Sequence, residues 1–115
     1  ARYQDAAQRY EDALPIYRNI GARLGEANCV KALGDVARRQ ARYQDAAQRY
    51  EDALPIYRNI GARLGEANTH LSIGLLALAQ GQPADEELAE AERLYREIGL
   101  TEQADLVRKI REGAG

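Results

Sequence analysis

A long internal repeat constrains this chain more than any other feature of its sequence. Residues 41–68 are identical to residues 1–28, displaced by 40 positions. A fixed period of about 20–50 residues is typical of stacked repeat architectures, in which each unit buries its apolar face against its neighbours. The period therefore predicts an architecture of repeated units, and it outranks any single local motif.

The spacing of apolar residues predicts helices throughout the chain. An apolar stripe of the first helix comprises Ala6, Tyr10, Ala13 and Tyr17. These positions fall at i, i+4, i+7 and i+11, which is one side of an α-helix. Gly21 is expected to end this helix, because glycine tolerates the left-handed backbone of a helix C-terminus. The predicted helices span residues 3–20, 24–40, 43–60, 64–80, 84–98 and 101–112.

Prolines and glycines inside these helices carry specific expectations. Pro15 and Pro55 lie in helix interiors, where a proline costs about 3 kcal/mol, and we expect them to bend their helices without ending them. Gly34 lies in mid-helix, at a cost of about 1 kcal/mol relative to alanine, which favours close approach of another helix there. Gly74 occupies the same place one period later. Pro83 is expected at the first position of the fifth helix.

Composition and charge exclude several classes of function. The net charge of −2 provides no basic field for nucleic acid or an anionic membrane. The longest apolar run, residues 75–79, is far below the ~20 residues of a membrane span. Cys29 is the only cysteine, so neither a disulfide framework nor a cysteine-based metal site is expected. A reducing, cytoplasmic location fits best.

The residues of common catalytic motifs are too few to build an active site. Ser72 and His70, each the only one of its kind, are two positions apart and point to different sides of a helix. Gly21 and Gly25 are followed by no GK[ST] and preceded by no strand, so they form no phosphate loop. We expect no enzyme activity, no cofactor and no metal. His70 and Cys29 are interpreted as structural side chains, with a ligand contact as the alternative.

A second spacing resembles a known repeat family. A large apolar residue followed by glycine, then small and aromatic residues on the partner helix, resembles the tetratricopeptide repeat; the positions are Leu33, Gly34, Ala37, Ala41, Ala46, Tyr50 and Ala53. The next copy keeps Ile73, Gly74, Ala77, Gly81, Ala84, Leu88 and Ala91. The period of 40 is similar to the longer variety found in kinesin light chains and Pins-type G-protein regulators. The resemblance implies an all-α solenoid of antiparallel helix hairpins, with six helices in the order B-A-B-A-B-A.

The resemblance also implies a domain organisation. We expect a single domain, 1–115, with repeat units 1–40 and 41–80, a degenerate B helix at 81–99 and a capping helix at 100–112. Because the chain opens inside a repeat, it is expected to be a piece of something longer. The sharp edge between identical and divergent segments favours a recent partial duplication or deliberate engineering.

The family's stacked A helices line a concave groove, which implies a partner-binding face. Its ligand-facing positions here are Asn28, Lys31, Asp35, Arg38, Asn68, Leu71, Leu75 and Leu78. Asp35 and the leucines depart from a basic clamp for carboxylate tails, and they favour an amphipathic peptide or a partner helix. The expected function is a non-catalytic protein-interaction scaffold. The alternatives are a structural or self-assembly module, an engineered amplification of the repeat without a native ligand, and leucines covered by the last helix.

The two ends of the chain predict different behaviour. Aligning Ala104 with Ala27 places Arg111 where Gly34 stands, and a bulky charge there would stop another helix from approaching. The first helix lacks an A partner and presents Ala6, Tyr10 and Tyr17. An open apolar edge favours association, so we expect a weak homodimer of N-terminal helices about a twofold axis.

Overall fold

The computed structural model describes residues 2–114, and over that range the chain forms six α-helices and no strand. They are α1 (Arg2–Ile20), α2 (Arg23–Arg39), α3 (Tyr43–Ile60), α4 (Arg63–Ala79), α5 (Asp85–Glu97) and α6 (Thr101–Ala114). The fold class is all-α, a helical repeat, as the sequence predicted. Every predicted helix boundary lies within two residues of the observed one.

The chain divides into two compact units. Unit 1 ends at Gly61 and contains α1, α2 and α3, and unit 2 begins at Ala62 and contains α4, α5 and α6. Within each unit consecutive helices pack against each other. They run antiparallel, since the start of α2 meets the end of both α1 and α3. The organisation as one domain with the predicted internal boundaries stays a prediction.

One hydrogen-bonded turn recurs where helices are joined. After α1, α2, α4 and α5, the amide of the second or third residue beyond the helix donates to a carbonyl five residues earlier, at 2.8–2.9 Å. This is the bond of a Schellman turn, which requires a left-handed residue just before that amide. Gly21, Gly81 and Gly99 supply it with φ between 67° and 84°. Ala41 adopts φ 60° in the same place, so one turn is made without glycine.

The interior prolines do not end their helices. Pro15 lies within α1 and Pro55 within α3, and both helices run on to the isoleucine before the turn. The predicted continuity is therefore confirmed, while the predicted bend stays a prediction. The expectation for Pro83 was wrong, because α5 begins at Asp85. Ala84 precedes the helix with φ −126°, and its carbonyl accepts the first helical hydrogen bond.

Two mid-helix glycines mark close contacts between helices, as predicted. A Cβ placed on Gly34 of α2 would lie 2.7 Å from the ring of Tyr50 in α3. A Cβ on Gly74 of α4 would lie 2.5 Å from Leu88 of α5. Either methyl would force its neighbour to move, so only glycine permits these helices to approach so closely.

The copies of the repeated segment differ in burial although their sequences are identical. The α3 stripe of Ala46, Tyr50, Ala53 and Tyr57 is at most 2% exposed. In α1 the corresponding residues are only half-buried, or exposed in the case of Tyr10, and Leu14 is the one buried residue of that helix among those described. The burial of a side chain in these copies therefore depends on the neighbouring helices and not on the amino-acid sequence of the segment itself.

Candidate functional site

The predicted partner-binding residues of α2 form a bonded polar network. The Asp35 carboxylate lies 2.7 Å from Lys31 Nζ and 3.8 Å from Arg38 Nη2. It also accepts a 2.6 Å hydrogen bond from the Tyr50 hydroxyl, and Arg38 Nε donates to the same hydroxyl at 3.2 Å. The charged side chains are about 20% exposed, so they are only partly available to a partner. The structure thus brings Lys31, Asp35 and Arg38 together, and Asp35 and Arg38 join α2 to α3 through the Tyr50 hydroxyl.

A tyrosine–asparagine pair joins helices in each unit. The Tyr57 hydroxyl of α3 donates to Asn28 Oδ1 of α2 at 2.6 Å. In unit 2 the Tyr95 hydroxyl of α5 donates to Asn68 Oδ1 of α4. The side-chain oxygens of Asn28 and Asn68 therefore each accept a hydrogen bond from within the protein. The amide groups remain as the part of each asparagine that a partner could use.

Burial has raised the pKa of the tyrosines that make these bonds. Burial, reinforced by the hydrogen bond to Asp35, raises the pKa of Tyr50 to about 12. Burial, together with the nearby negative charge of Asp35, raises the pKa of Tyr57 to about 12. Burial also raises the pKa of Tyr95. These hydroxyls stay protonated donors at neutral pH and keep the network intact.

The sequence analysis missed the role of these tyrosines because it considered the tyrosines of the repeated segment only as members of an apolar stripe. The sequence did contain a signal for this pairing, because Tyr57 and Tyr95 occupy corresponding positions of two repeats. Each of these tyrosines follows an asparagine of the preceding A-type helix, Asn28 and Asn68, by a similar interval. A recurring donor and acceptor at a nearly constant interval indicates a structural pair, whereas the ligand-facing assignment came from family resemblance.

The corresponding face of α4 in unit 2 is apolar. At the positions of Lys31, Asp35 and Arg38 this helix carries a row of leucines, and no Asp, Glu, Lys or Arg occurs between Glu66 and the helix end. We call this set the leucine row: Leu71, Leu75 and Leu78, spaced i, i+4 and i+7. Leu78 is 36% exposed, and the other two are half-buried.

The leucine row is only partly consumed by packing within unit 2. Leu71 packs against the apolar core cluster of unit 2. That the last helix covers these leucines stays a prediction. Leu78 instead borders a cavity of about 180 Å³ that is also lined by Leu88 and Arg111. An apolar side chain beside an open cavity can accept an apolar group from another molecule.

Arg111 closes the α6 side of this region by ion pairs. Its guanidinium lies 3.0 Å from Asp85 and 2.8 Å from Glu92, both on α5. Burial raises the pKa of Glu92, but the hydrogen bonds from Arg111 and Arg96 outweigh it and hold the pKa below its usual value. Arg111 is thus anchored on α5. Its predicted role as an end cap stays a prediction.

The residues predicted for self-association lie on α1 with different degrees of exposure. Tyr10 is 36% exposed, and Ala6 is half-buried. Tyr17 is half-buried, because its ring packs against Gly25 of α2. A Cβ added to Gly25 would lie 2.5 Å from that ring. Among residues 2–114, no hydrogen bond involves the hydroxyl of Tyr10 or Tyr17.

The residues considered for chemistry are buried. His70 is 5% exposed, and its Nδ1 lies 2.6 Å from Glu87 of α5. Cys29 is 5% exposed, and burial raises the pKa of its thiol, which disfavours the reactive thiolate. Among the described residues, no group of three or more His, Cys, Asp or Glu side chains could hold a metal ion. No helix between residues 2 and 114 is long and apolar enough to cross a bilayer.

Comparison with known proteins gives one family. A family model described as tetratricopeptide repeat matches residues 1–59, just over half of the 115-residue chain. The match covers α1, α2 and nearly all of α3, which includes the Gly34–Tyr50 contact and the bonded polar network. No curated protein and no solved structure matched the chain.

Proposed function

Because this chain belongs to the tetratricopeptide repeat family, we propose that it binds an amphipathic peptide or a partner helix through the leucine row of α4. Repeats of this family are in general non-catalytic modules for protein–protein interaction. The finer assignment to a concave groove, and to the 40-residue variety of the repeat, forms part of this proposal.

The observation that carries the proposal is the contrast between two equivalent helix faces. In α2 the charged side chains at these positions bond to each other and to Tyr50. In α4 the same positions are apolar, and Leu78 remains 36% exposed beside a cavity. A partly exposed apolar row on a charge-free stretch of helix is typical of an interaction surface. An amphipathic helix with apolar residues at i, i+3 or i+4, and i+7 matches its spacing.

The polar network of α2 takes no part in this proposal. Lys31, Asp35 and Arg38 are about 20% exposed and bond to each other and to Tyr50 within unit 1, so the proposal assigns the binding of the peptide to the leucine row of unit 2 alone. The leucine row supplies the affinity.

Peptide display against the full chain tests the proposal. We expect the selected peptides to carry apolar residues with helical spacing, and their binding to be lost in a Leu75→Asp, Leu78→Asp variant. Leu106→Asp is the matched control, because Leu106 of α6 is 60% exposed and lies in the same unit. Circular dichroism must show both variants folded. Equal binding by the two variants, or selected peptides without apolar periodicity, would contradict the assignment.

A further inference from the structure

A groove of about 330 Å³ lies in unit 1, on the side of α2 away from Lys31 and Asp35. Its walls come from α1 and α3, and its floor is made by the buried apolar side chains of Leu33, Val36 and Ala37 on α2. Helical spacing places these three residues on the opposite side of α2 from the polar network. The groove is therefore separate from that network and from the leucine row, which belongs to unit 2.

The dimensions of this groove suit an extended peptide better than a helix. Its wall along α3 runs from Arg42 to Asp52, which corresponds to about 15 Å along a helix axis. Over that length the volume gives a mean cross-section of about 22 Å². An α-helix with its side chains is about 10 Å wide and would not enter, whereas an extended chain of about four or five residues spans the same length.

Two opposite charges that line this groove have no polar partner. They are Glu11 of α1 and Arg49 of α3, and within residues 2–114 neither forms an ion pair or a hydrogen bond. A ligand that carries one cationic and one anionic group can therefore satisfy both. The other charged side chains of the lining are bonded to neighbours in the sequence: Arg42 to Asp45 at 2.6 Å, and Asp52 to Gln48 at 2.9 Å.

The packing of the helices requires neither of these two charges. Arg49 is half-buried, and its Cβ would lie 3.1 Å from a Cβ on Gly34, so its position on α3 is fixed by α2. At the equivalent place α5 carries Glu87, so the same kind of contact accommodates the opposite charge. Glu51, the copy of Glu11 on α3, is exposed although α2 packs on that helix. The exposure of Glu11 is therefore a property of its position in the repeat.

We propose that this groove binds an extended peptide segment of a partner protein in which one apolar residue separates a basic residue from an acidic one. In an extended chain the apolar side chain points to one face and its two neighbours point to the other, so the apolar group lies on the floor and the charges stay at the rim. The acidic side chain pairs with the Arg49 guanidinium, whose fork matches a carboxylate. The basic side chain pairs with Glu11. Because partly exposed ion pairs contribute about 0–1 kcal/mol each, the short segment binds with roughly millimolar affinity, and the two charges determine its direction and selectivity.

Two synthetic peptides are the probes for this site. They are acetyl-Gly-Lys-Val-Glu-Gly-amide and acetyl-Gly-Glu-Val-Lys-Gly-amide, which cover both directions of the chain in the groove. Their binding to the isotope-labelled full chain can be followed by the chemical shifts of backbone amides. We expect one of the two peptides to shift the amides of residues 7–11 and 42–52 in a saturable way, while the amides of the leucine row stay unchanged.

Charge reversal tests the chemistry of recognition. Arg49→Glu should weaken binding of the preferred peptide about tenfold and should favour a peptide with lysine at both charged positions. Glu11→Lys should weaken it by a similar factor and should favour a peptide with glutamate at both positions. The repeat supplies matched controls, because Arg9→Glu and Glu51→Lys make the same changes in identical segments at positions that do not line the groove, and both should bind as well as the unaltered chain. Circular dichroism of the variants separates lost binding from lost folding.

Three outcomes would overturn the proposal. The first is the absence of saturable shifts at roughly 10 mM of either peptide. The second is a set of shifts that falls in unit 2, which would assign the peptide to a different surface. The third is an equal effect of Glu11→Lys and Glu51→Lys, or an unchanged peptide preference after Arg49→Glu, since the two charges would then be solvated surface groups without a role in recognition.

Discussion

Replacing Tyr50 with alanine should destabilise the protein far more than the same replacement of Tyr10, although the two tyrosines lie in identical segments. Tyr50 is 0% exposed and bonds to Asp35 and Arg38, whereas Tyr10 is 36% exposed and has no such bond. Local sequence, helix propensity and unfolded-state effects are nearly the same at both sites. The difference between the two variants therefore reports on packing by neighbouring helices.

The size of this difference follows from the buried area and the lost donor. A tyrosine side chain buries on the order of 200 Å², so Tyr50 buries about 70 Å² more than Tyr10. At roughly 25 cal/mol per Å² this area contributes about 1.8 kcal/mol. Removing the donor to Asp35 adds roughly 1–3 kcal/mol, at the lower end because Asp35 keeps Lys31 as a partner. We expect the free energies of unfolding of the two variants to differ by about 3 kcal/mol.

Urea unfolding followed by far-ultraviolet circular dichroism measures both variants at low protein concentration. A Tyr50→Phe and Tyr10→Phe pair isolates the hydroxyl. We expect about 1 kcal/mol of destabilisation at Tyr50 and almost none at Tyr10. If the two alanine variants differed by less than about 1 kcal/mol, the neighbouring helix would not be the source of Tyr50's burial, and the reasoning would fail.

Three other predictions concern the turns, the pH response and the interior proline. Ala41→Gly should stabilise the protein by about 1 kcal/mol, since Ala41 holds φ 60°, and Gly81→Ala should cost a similar amount because its φ is 67° and no neighbouring atom lies within 4 Å; thermal melts of the two variants compare them. Because burial raises the folded-state pKa of Tyr50 and Tyr57 to about 12 from 10.0, the stability they contribute is fully present below pH 10 and is lost between pH 10 and 12. Phenolate absorbance should show a late phase that shrinks in the Tyr50→Phe variant. Pro55→Ala should leave stability unchanged or raise it by up to about 3 kcal/mol, because α3 is continuous through an exposed proline, and a lowered melting temperature would show that the proline is needed.

Helix positions were predictable from sequence because their signals are local. Apolar spacing predicted all six helices, and Gly21 after α1 adopts the left-handed backbone expected of a helix end. The contacts at Gly34 and Gly74 were predictable for a related reason: an unfavourable residue in mid-helix needs compensation from packing. Pro83 was misplaced because proline preference at the first helical position is weak, and Ala84 begins the hydrogen bonding instead.

The bonding of the polar side chains on α2 could not be predicted from the sequence. Sequence placed Asn28, Lys31, Asp35 and Arg38 on one helix face, yet it could not show that their polar atoms bond to each other and to tyrosines of α3. Such pairing depends on which residues of different helices meet, and helical periodicity carries no register between helices. The exposure of Tyr10 could be predicted only because no helix of this sequence precedes α1 and could pack against it.

Hydrogen exchange of individual backbone amides tests the central claim most directly, which is that neighbouring helices and not local sequence determine the structure of each repeat. Residues 1–28 and 41–68 share every letter, so the intrinsic exchange rates of corresponding amides away from the segment ends are the same. Any difference then reports structure alone. We predict that amides around Tyr50 and Ala53 exchange at least about tenfold more slowly than those around Tyr10 and Ala13, which corresponds to about 1.4 kcal/mol of opening free energy. Equal protection of the two copies would contradict the claim.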